Sequence, residues 1–475
     1  KLSGVTVTGA GATSITDLAL DLDANLSGVN SSTVTAGLIA TDVTVNFIGN
    51  FGKATVALTG GDGGADDILN VDGATMGTAT FTVAENNTLV GTAAQLNGVS
   101  VTGAGTTSIT ALHATLNADL SDIATGSVTA AFGSSGTFTG DLGTAVVTVA
   151  DGVTFTAAAS VVNGKTITDG SDNASVAITA LHSTLAADLS NIDTNSVTAA
   201  FDGDGTFTGD IGNAVVTVTD GATLTAAGNK LVGHTINKSG TGDNNGAIVV
   251  TLNAPSDTAV DLTTISGTVN ITSITAQSSF TFTGTLHATT ATTVADGVTF
   301  TSAASVVTGK TISDGSDSAT VAITALHSDL DADLSGIDAN SVTAAFDGSG
   351  TFTGDIGNAV VTVADGVDMT AAANKLIDHT INKASGGVGN GKLLVTLSAA
   401  SDTAVDLNSI SGNVTISNIS IIENLTFTGT LHGTVGTTVA DGVNMTVAAS
   451  VVTGKTIEDG TDSGTVTITA LHSDL

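Results

Sequence analysis

Residues 195–218 read NSVTAAFDGDGTFTGDIGNAVVTV, and residues 340–363 repeat them with a single change, from Asp204 to Ser349. Within this stretch apolar residues alternate with Thr, Ser or Ala in short runs, and the runs are separated by Gly and Asp. Alternation with a period of two is typical of half-buried β-strands, whereas Asp and Gly together are typical of tight turns. The stretch therefore predicts short strands joined by turns.

The repetition continues outward from this stretch along the chain. The segment ALHS recurs at equal intervals, with His182, His327 and His472. The turn Val-Ala/Thr-Asp-Gly begins at Val149, Val218, Val294, Val363 and Val439, so that a shorter and a longer step alternate. We therefore divide the chain into a divergent N-terminal copy (1–98), one sub-repeat (99–172), two 145-residue repeats (173–317 and 318–462), which we call the long repeats, and the start of a further repeat (463–475).

The length and composition of the sub-repeat predict the fold. A unit of roughly 70 residues with almost no aromatic side chains is shorter than a sandwich domain of about 100 residues, but it fits a few coils of a solenoid. We predict an all-β fold, a repetitive, parallel β-helix-like solenoid forming a rod, with tandem β-sandwiches as the second choice. In residues 323–337 apolar residues are spaced by three and four, which leaves a short helix or a wide turn open.

Equivalent positions in the sub-repeats identify a core. Six residues after each turn's Val stand Phe155, Leu224, Phe300, Met369 and Met445. A second series, in the TFTG segments and their equivalents, is Phe138, Phe207, Phe282, Phe352 and Phe427. Large apolar side chains that replace one another are typical of core positions, where volume matters more than identity.

Charge and composition argue against several classes of function. The net charge is −34, with ten Lys and no Arg, so a nucleic-acid surface of clustered basic residues is not expected. No apolar run approaches the roughly 20 residues of a spanning helix, and we expect no membrane insertion. Catalytic and cofactor-binding residues are not predicted either, because an active site is one constellation and the polar residues here recur in repeated contexts.

Calcium is the one cofactor that the sequence suggests. Hard oxygen ligands two or three residues apart in a Gly-containing turn are suited to wrapping a Ca²⁺ ion. The candidate ligands are Asp66, Asp67, Asp169, Asp172, Asp202, Asp204, Asp314, Asp317, Asp459 and Asp462. The alternative is that Asp-Gly pairs form turns and keep the surface soluble.

Cations also recur, sixteen residues after each turn's Val. These positions hold Lys165, His234, Lys310, His379 and Lys455. In an acidic chain we expect each to pair with a neighbouring turn carboxylate, an exposed contact worth about 1 kcal/mol or less.

Residues 61–68, GDGGADDI, resemble one degenerate copy of the RTX nonapeptide, and units such as TVADGVTFTSAASVVTGKTISDG (293–315) resemble Thr/Ala/Asp/Gly-rich repeats. The whole chain thus resembles giant bacterial extracellular surface proteins of the RTX-associated adhesin, S-layer or surface-filament type. This resemblance implies export to the cell surface, assembly there, and dependence on Ca²⁺.

These observations favour a non-catalytic structural repeat region of an extracellular surface assembly. The alternatives are the stalk of a calcium-dependent adhesin whose binding head lies elsewhere, and, with less support, a ligand- or ice-binding solenoid using Thr-x-Thr rows. The expected partners are further copies of the same repeats and cell-surface polysaccharide. Because Lys1 and Leu475 both fall inside a repeat, we expect an excerpt of a longer molecule with contacts at both ends.

Overall fold

The computed structural model describes residues 6–16, 24–30, 33–38, 44–59, 67–171, 173–240, 246–316, 318–385, 390–461 and 463–471. It is nearly all β, with 48% strand and 6% helix, and its parallel sheets form a β-solenoid of about 20 coils. The predicted fold class is confirmed.

The strands up to residue 169 are β1 (Val7–Thr8), β2 (Ala12–Ile15), β3 (Val29–Asn30), β4 (Thr33–Leu38), β5 (Thr44–Asn46), β6 (Thr55–Leu58), β7 (Asp67–Asn70), β8 (Thr80–Val83), β9 (Asn87–Gly91), β10 (Val101–Leu112), β11 (Ile123–Phe132), β12 (Gly136–Phe138), β13 (Val146–Val149), β14 (Thr154–Ala158) and β15 (Ile167–Asp169). The next are β16 (Ser175–Leu181), β17 (Ile192–Asp193), β18 (Ser196–Phe201), β19 (Gly205–Phe207), β20 (Val215–Val218), β21 (Thr223–Ala227), β22 (Ile236–Lys238), β23 (Ala247–Leu252), β24 (Asn270–Ala276), β25 (Phe280–Phe282), β26 (Thr292–Val294), β27 (Thr299–Ala303) and β28 (Ile312–Asp314). The last are β29 (Thr320–Leu326), β30 (Ile337–Asp338), β31 (Ser341–Phe346), β32 (Gly350–Phe352), β33 (Val360–Val363), β34 (Asp368–Ala372), β35 (Ile381–Lys383), β36 (Lys392–Leu397), β37 (Thr415–Ile421), β38 (Leu425–Phe427), β39 (Thr437–Val439), β40 (Asn444–Ala448), β41 (Ile457–Asp459) and β42 (Thr465–Thr469).

The helices of the described residues are short. The α-helices are α1 (Ala93–Leu96), α2 (Ala159–Val162), α3 (Ala304–Val307) and α4 (Ala449–Val452), and the 3₁₀ helices are Gly228–Lys230, Leu262–Thr264, Ala373–Lys375 and Leu407–Ser409. None falls in residues 323–337, where β29 ends, turns follow and β30 begins, so this segment is the wide turn rather than the helix. None of the described helices is long and apolar enough to cross a membrane.

The chain divides into two compact units, of which the first comprises residues 1–225, 233–247 and 266–270. In this unit β17-β15-β13-β11-β10-β8-β6-β4-β2 form one parallel path, which β5, β7 and β9 join beside β10. A second parallel sheet has the order β12-β14-β16-β18-β20-β22. Phe155 of β14 is in register with Val176 of β16, and Val176 with Val197 of β18, so each strand stacks on its equivalent in the next coil.

The second unit comprises residues 226–232, 248–265 and 271–475. Its sheets include the orders β25-β27-β29-β31-β33-β35, β32-β34-β36-β37-β39-β41 and β38-β40-β42. The registers of the first unit recur one long repeat later, because Phe300 pairs with Val321 and Val321 with Val342. The sequence repeat is therefore a repeat of strand stacking.

Both predicted core series lie inside the coils. Phe155, Leu224, Phe300, Met369 and Met445 are at most 1% exposed, as are Phe138, Phe207, Phe282, Phe352 and Phe427. Rings of neighbouring coils touch: the centroids of Phe132 and Phe155 lie 4.7 Å apart, edge to face. These aromatic contacts add to the aliphatic burial that stacked coils provide.

Candidate functional site: acidic corners and turns

The predicted calcium ligands of the DGSD and DGTD turns are only partly within the described residues. Asp172, Asp317 and Asp462 lie outside them, as does Asp66 of the RTX-like segment. Asp169 and Asp314 end β15 and β28, and the Oδ2 atom of each accepts a main-chain N–H from the next coil, from Asn195 at 3.0 Å and from Asn340 at 2.8 Å. Asp459 ends β41 and is exposed.

The two carboxylates of the DGDG turn have different partners. Asp202 Oδ1 lies 2.9 Å from Nδ1 of His182, and the equivalent pair Asp347 and His327 has the same separation. Asp204 Oδ1 accepts the main-chain N–H of Thr223 at 2.7 Å. The side chains of both His–Asp pairs are 37–49% exposed, so solvent screens each pair and it contributes little to stability.

Asp67 differs from these exposed acids because it points inward. It begins β7, is 2% exposed, and is in register with Asn87 of β9, which is 3% exposed. Among the described residues no group of three or more His, Cys, Asp or Glu side chains is arranged to hold a metal ion. Since four of the ten candidate ligands lie outside the described residues, calcium binding at these turns stays a prediction.

A second recurring feature, present in both units, is a three-residue turn at a corner of the coil, which we call the corner motif. It consists of Asp, Asn or Thr, then a buried apolar residue, then Ser, Gly, Thr, Asn or His. Its first members are Asn25, Asn50, Thr75, Asp119, Asp141, Asp188, Asp210, Asp261, Thr285, Asp333, Asp355, Asp406 and Thr430, and they form single parallel bridges between consecutive coils. The buried second residue anchors each corner, as Leu334 and Ile356 do at 0% and 1% exposure.

The corner carboxylates are held by their own turn. In the Asp333 corner, the main-chain N–H of Ser335 donates to Asp333 Oδ1 at 3.0 Å and the Ser335 hydroxyl donates to the same atom at 2.6 Å. Hydrogen bonds from the side chain and main chain of Ser335 hold the pKa of Asp333 below its usual value, and Ser121 does the same for Asp119. These carboxylates therefore stay charged while they shape the turn.

In the bridged pairs Asp119–Asp141, Asp188–Asp210 and Asp333–Asp355, the third position is Ser in the first corner and Gly in the second. In the Asp355 corner, the N–H of Gly357 donates to Asp355 Oδ1 at 2.9 Å, and Gly357 has φ of +58°. A Cβ atom on Gly357 would clash with the carbonyl oxygen of Leu334 in the coil before. Glycine is thus required here both by the left-handed backbone and by the close approach of the neighbouring coil.

The prediction that the repeated Lys residues pair with turn carboxylates is wrong for three of them. The ammonium groups of Lys310 and Lys455 donate to the carbonyl oxygens of His287 and His432, at 3.3 and 3.2 Å, and Lys165 donates to the carbonyl of Gly143. These acceptors all occupy the third position of a corner motif. The Lys side chain thus ties its coil to the corner of the preceding coil through a main-chain carbonyl.

Burial and a nearby Lys ammonium group together lower the pKa of the two corner histidines, His287 and His432. Desolvation, followed by repulsion from Lys310, lowers the pKa of His287, and the same causes act on the pKa of His432 beside Lys455. Each ring accepts a main-chain N–H at Nδ1, from Thr290 in the first case and from Thr434 and Val435 in the second. Both imidazoles are thereby favoured in the neutral form and act as turn acceptors.

Two buried carboxylates were missed by sequence reasoning. Asp257 and Asp402 are 0% exposed. Asp402 accepts N–H groups from Asn374 at 2.9 Å and from Ser398 at 2.8 Å, and Asp257 accepts the equivalent N–H groups of Asn229 and Asn253. Each acid therefore ties a wide loop to a 3₁₀ helix in the preceding coil. The available signal was the recurrence of the Asp and its Asn partner in both long-repeat contexts.

On three neighbouring strands in each of two sheets, the outward positions carry no charge. In the first unit the outward residues of β14, β16 and β18 are Thr154, Thr156, Ala158, Ser175, Ala177, Thr179, Ser196, Thr198 and Ala200. In the second unit those of β27, β29 and β31 are Thr299, Thr301, Ala303, Thr320, Ala322, Thr324, Ser341, Thr343 and Ala345. We call these two surfaces the uncharged faces.

The polar groups of these corners and turns recur from coil to coil, and many of them accept main-chain N–H groups of their own or of a neighbouring coil. Comparison of the chain with protein-family models, with curated proteins and with solved structures finds no match.

Proposed function

We propose that this chain is a non-catalytic structural repeat region of an extracellular bacterial surface assembly of the filament, sheath or S-layer type. The observation that carries the proposal is the recurrence of one environment: the corner motif, with its bridge to the next coil, is found in both units. Repetition of this kind lets each coil contact its neighbour in the same way, so that length is gained by duplication.

The distribution of charge supports self-association as the mode of assembly. With a net charge of −34, two copies of the chain repel one another wherever their acidic corners and turns meet. The uncharged faces add no carboxylate to such a contact, and one of the two lies in each unit. We propose that copies contact one another laterally through these faces.

The Thr rows give ice binding little support. On the first uncharged face the outward column runs Thr137, Thr156, Ala177, Thr198 and Val215 from coil to coil, so the row is interrupted twice. The adhesin-stalk alternative predicts a chain that stays monomeric.

Sedimentation and electron microscopy of the purified chain test the proposal. The double variant Thr198→Asp, Thr343→Asp places one carboxylate on each uncharged face, and we expect it to shift the assembled protein toward monomer. The control variant Ser171→Asp, Ser316→Asp adds the same charge at exposed turn positions and should assemble as the unmodified chain does. A monomeric unmodified chain, or equal assembly of both variants, would contradict lateral assembly through these faces.

A further inference from the structure

A groove lies beside α1 in the N-terminal copy, where the bridges between corners are interrupted. The corner that begins at Thr75 is bridged to the corner of Asn50 in the preceding coil. In the following coil α1 takes the place of a corner, and no corner bridge joins the Thr75 corner to this coil among the described residues. The space between the two coils is a groove of about 700 Å³, lined by residues 74–80, 94–95 and 97–100.

The same groove recurs beside α2, but with half the volume. The chain passes through Asn-Gly after both helices, and Gly98 and Gly164 have the same φ of +65°. The main-chain N–H of the next residue, Val99 or Lys165, donates to the last residue of its helix, so these two positions are equivalent. The groove beside α2 has a volume of about 350 Å³, and Lys165 lines it. The longer side chain of Lys165 thus occupies space that Val99 leaves open.

The lysine copies show which chemical group fits this space. Lys165 donates to the carbonyl oxygen of Gly143, at the third position of the preceding corner, and Lys310 and Lys455 donate to the carbonyl oxygens at the same position of later corners. The equivalent residue of the open groove is Gly77, whose carbonyl oxygen accepts no hydrogen bond from any described residue. A primary ammonium group has three donors and no acceptor, so it matches such a carbonyl.

The charge around the groove also favours a cation. None of the residues that line it is charged, and the exposed Lys53 of an earlier coil is not among them. In the coil after α1, the main-chain N–H of Asp119 donates to Asn97 Oδ1 at 2.8 Å, so a corner carboxylate lies one coil beyond the lining. The net charge of −34 adds a long-range attraction for cations.

We propose that the groove beside α1 binds the lysine side chain of a partner protein, whose ammonium group donates to the carbonyl oxygen of Gly77. The alkyl part of the lysine packs against Met76 and Val99, which line the groove and are each 7% exposed. The partner's lysine thereby takes the place that Lys165 fills within the chain itself. This inference goes beyond the proposed function, because it concerns one site of the N-terminal copy and not the repeated faces.

Methionine methyl signals in NMR spectra test the site. Met76 lines the groove, whereas Met369 and Met445 are buried in the second unit and serve as internal controls. The full chain, with carbon-13 in its methionine methyl groups, is titrated with Nα-acetyl-lysine methylamide at constant ionic strength. We expect only the Met76 signal to shift. The norleucine amide lacks the ammonium group and the trimethyllysine amide lacks its N–H donors, so each should bind about tenfold more weakly or not at all.

Two variants close one groove and open the other. Val99→Lys installs the residue of the next copy, and it should abolish the response of Met76 to the lysine amide. Lys165→Val should create a second site beside α2. Its reporter is supplied by Leu142→Met, because Leu142 is the second residue of its corner, as Met76 is. The methyl signal at position 142 should respond to the lysine amide only when Lys165→Val is also present. Circular dichroism checks that each variant keeps the β fold.

Four results would overturn the proposal. They are an unmoved Met76 signal in the unmodified chain, an equal response to the norleucine amide, an undiminished response in Val99→Lys, and a groove opened by Lys165→Val that does not bind. Because assembly is measured separately with other variants, each of these results leaves the proposed function to its own test.

Discussion

At the scale of single residues, buried carboxylates act as hydrogen-bond acceptors for main-chain N–H groups in the connections between strands, where no strand pairing supplies an acceptor. Asp402 is fully buried, and its two oxygens accept N–H groups from a loop and from the 3₁₀ helix of the preceding coil. A parallel solenoid pairs its strands, but the connections between them need other acceptors. Asp257 has the same role one long repeat earlier.

Asp402→Ala should destabilise the surrounding coils by about 2–5 kcal/mol, because it removes the buried carboxylate that accepts two main-chain N–H groups. Chemical denaturation followed by circular dichroism measures the loss. Ser398→Ala is the matched control: it removes only the hydroxyl that donates to Asp402 at 3.2 Å and should cost about 1 kcal/mol. Equal effects of the two substitutions would show that the carboxylate is not the main acceptor.

At the scale of the structural element, the corner motif is the repeated device. Asn25 and Asn50 occupy the same place as the corner Asp residues, and their Oδ1 atoms accept N–H groups from Ser27 and Gly52. An amide oxygen therefore suffices for the turn. The carboxylate adds charge, and in the Asp119 and Asp333 corners this charge is stabilised by the following Ser.

The corners predict a loss of stability in acid. The pKa of Asp119 and of Asp333 is lowered on folding, so their stabilising contribution is present above the ordinary Asp pKa and disappears as the pH falls through the folded value. The double variant Asp119→Asn, Asp333→Asn should still form both corner turns, because an amide oxygen can accept the same hydrogen bonds. Between pH 5 and about pH 2, its melting temperature should fall less than that of the unmodified chain. Asp122→Asn, at an exposed position just beyond the corner, is the control. An identical pH profile for all three proteins would contradict the assignment.

At the scale of the whole molecule, the sequence period corresponds to a whole number of coils. Corner residues Asp188 and Asp333 are equivalent, as are Asp261 and Asp406, and the members of each pair lie one long repeat apart. Each sub-repeat contains three coils. Between the equivalent corners at Asp188 and Asp261, the chain passes through the coil of Asp188, the coil of Asp210 and the coil that contains His234. Duplication in such units preserves every register between neighbouring strands.

Deletion of residues 173–317 should therefore leave a folded solenoid. The new junction joins Asp172 to Ser318 in a context that the chain already contains at Asp317. We expect the same circular dichroism per residue and cooperative unfolding, with a denaturant m-value reduced roughly in proportion to length. Deletion of residues 173–307, which breaks the register, is the control and should unfold at lower denaturant or aggregate. Equal behaviour of the two deletions would contradict a register defined by the repeat.

Much of the core was predictable from alignment within the chain alone. The interchange of Phe155, Leu224 and Met369 identified an inward position because volume is conserved there. The corner motif also recurs in the sequence, as Asp-Leu-Ser and Asp-Ile-Gly. Its acids were not predicted as site residues, because the calcium hypothesis rested on the acids of the Asp-Gly turns. We expected the Lys residues to pair with carboxylates because the chain is strongly acidic. Their ammonium groups instead donate to main-chain carbonyl oxygens of the preceding coil.

By itself the sequence determined the period, the β class, the solenoid and the inward Phe, Leu and Met positions, because these depend on local alternation and on comparison of equivalent residues. Only the tertiary structure decided which groups meet from coil to coil. Asp402 with Asn374, Lys310 with the carbonyl of His287, and Asp67 with Asn87 are all contacts between residues that lie in different coils and far apart in the chain. The partner of each depends on the register of stacking, and the register follows from the packing of whole coils, not from any local pattern of residues.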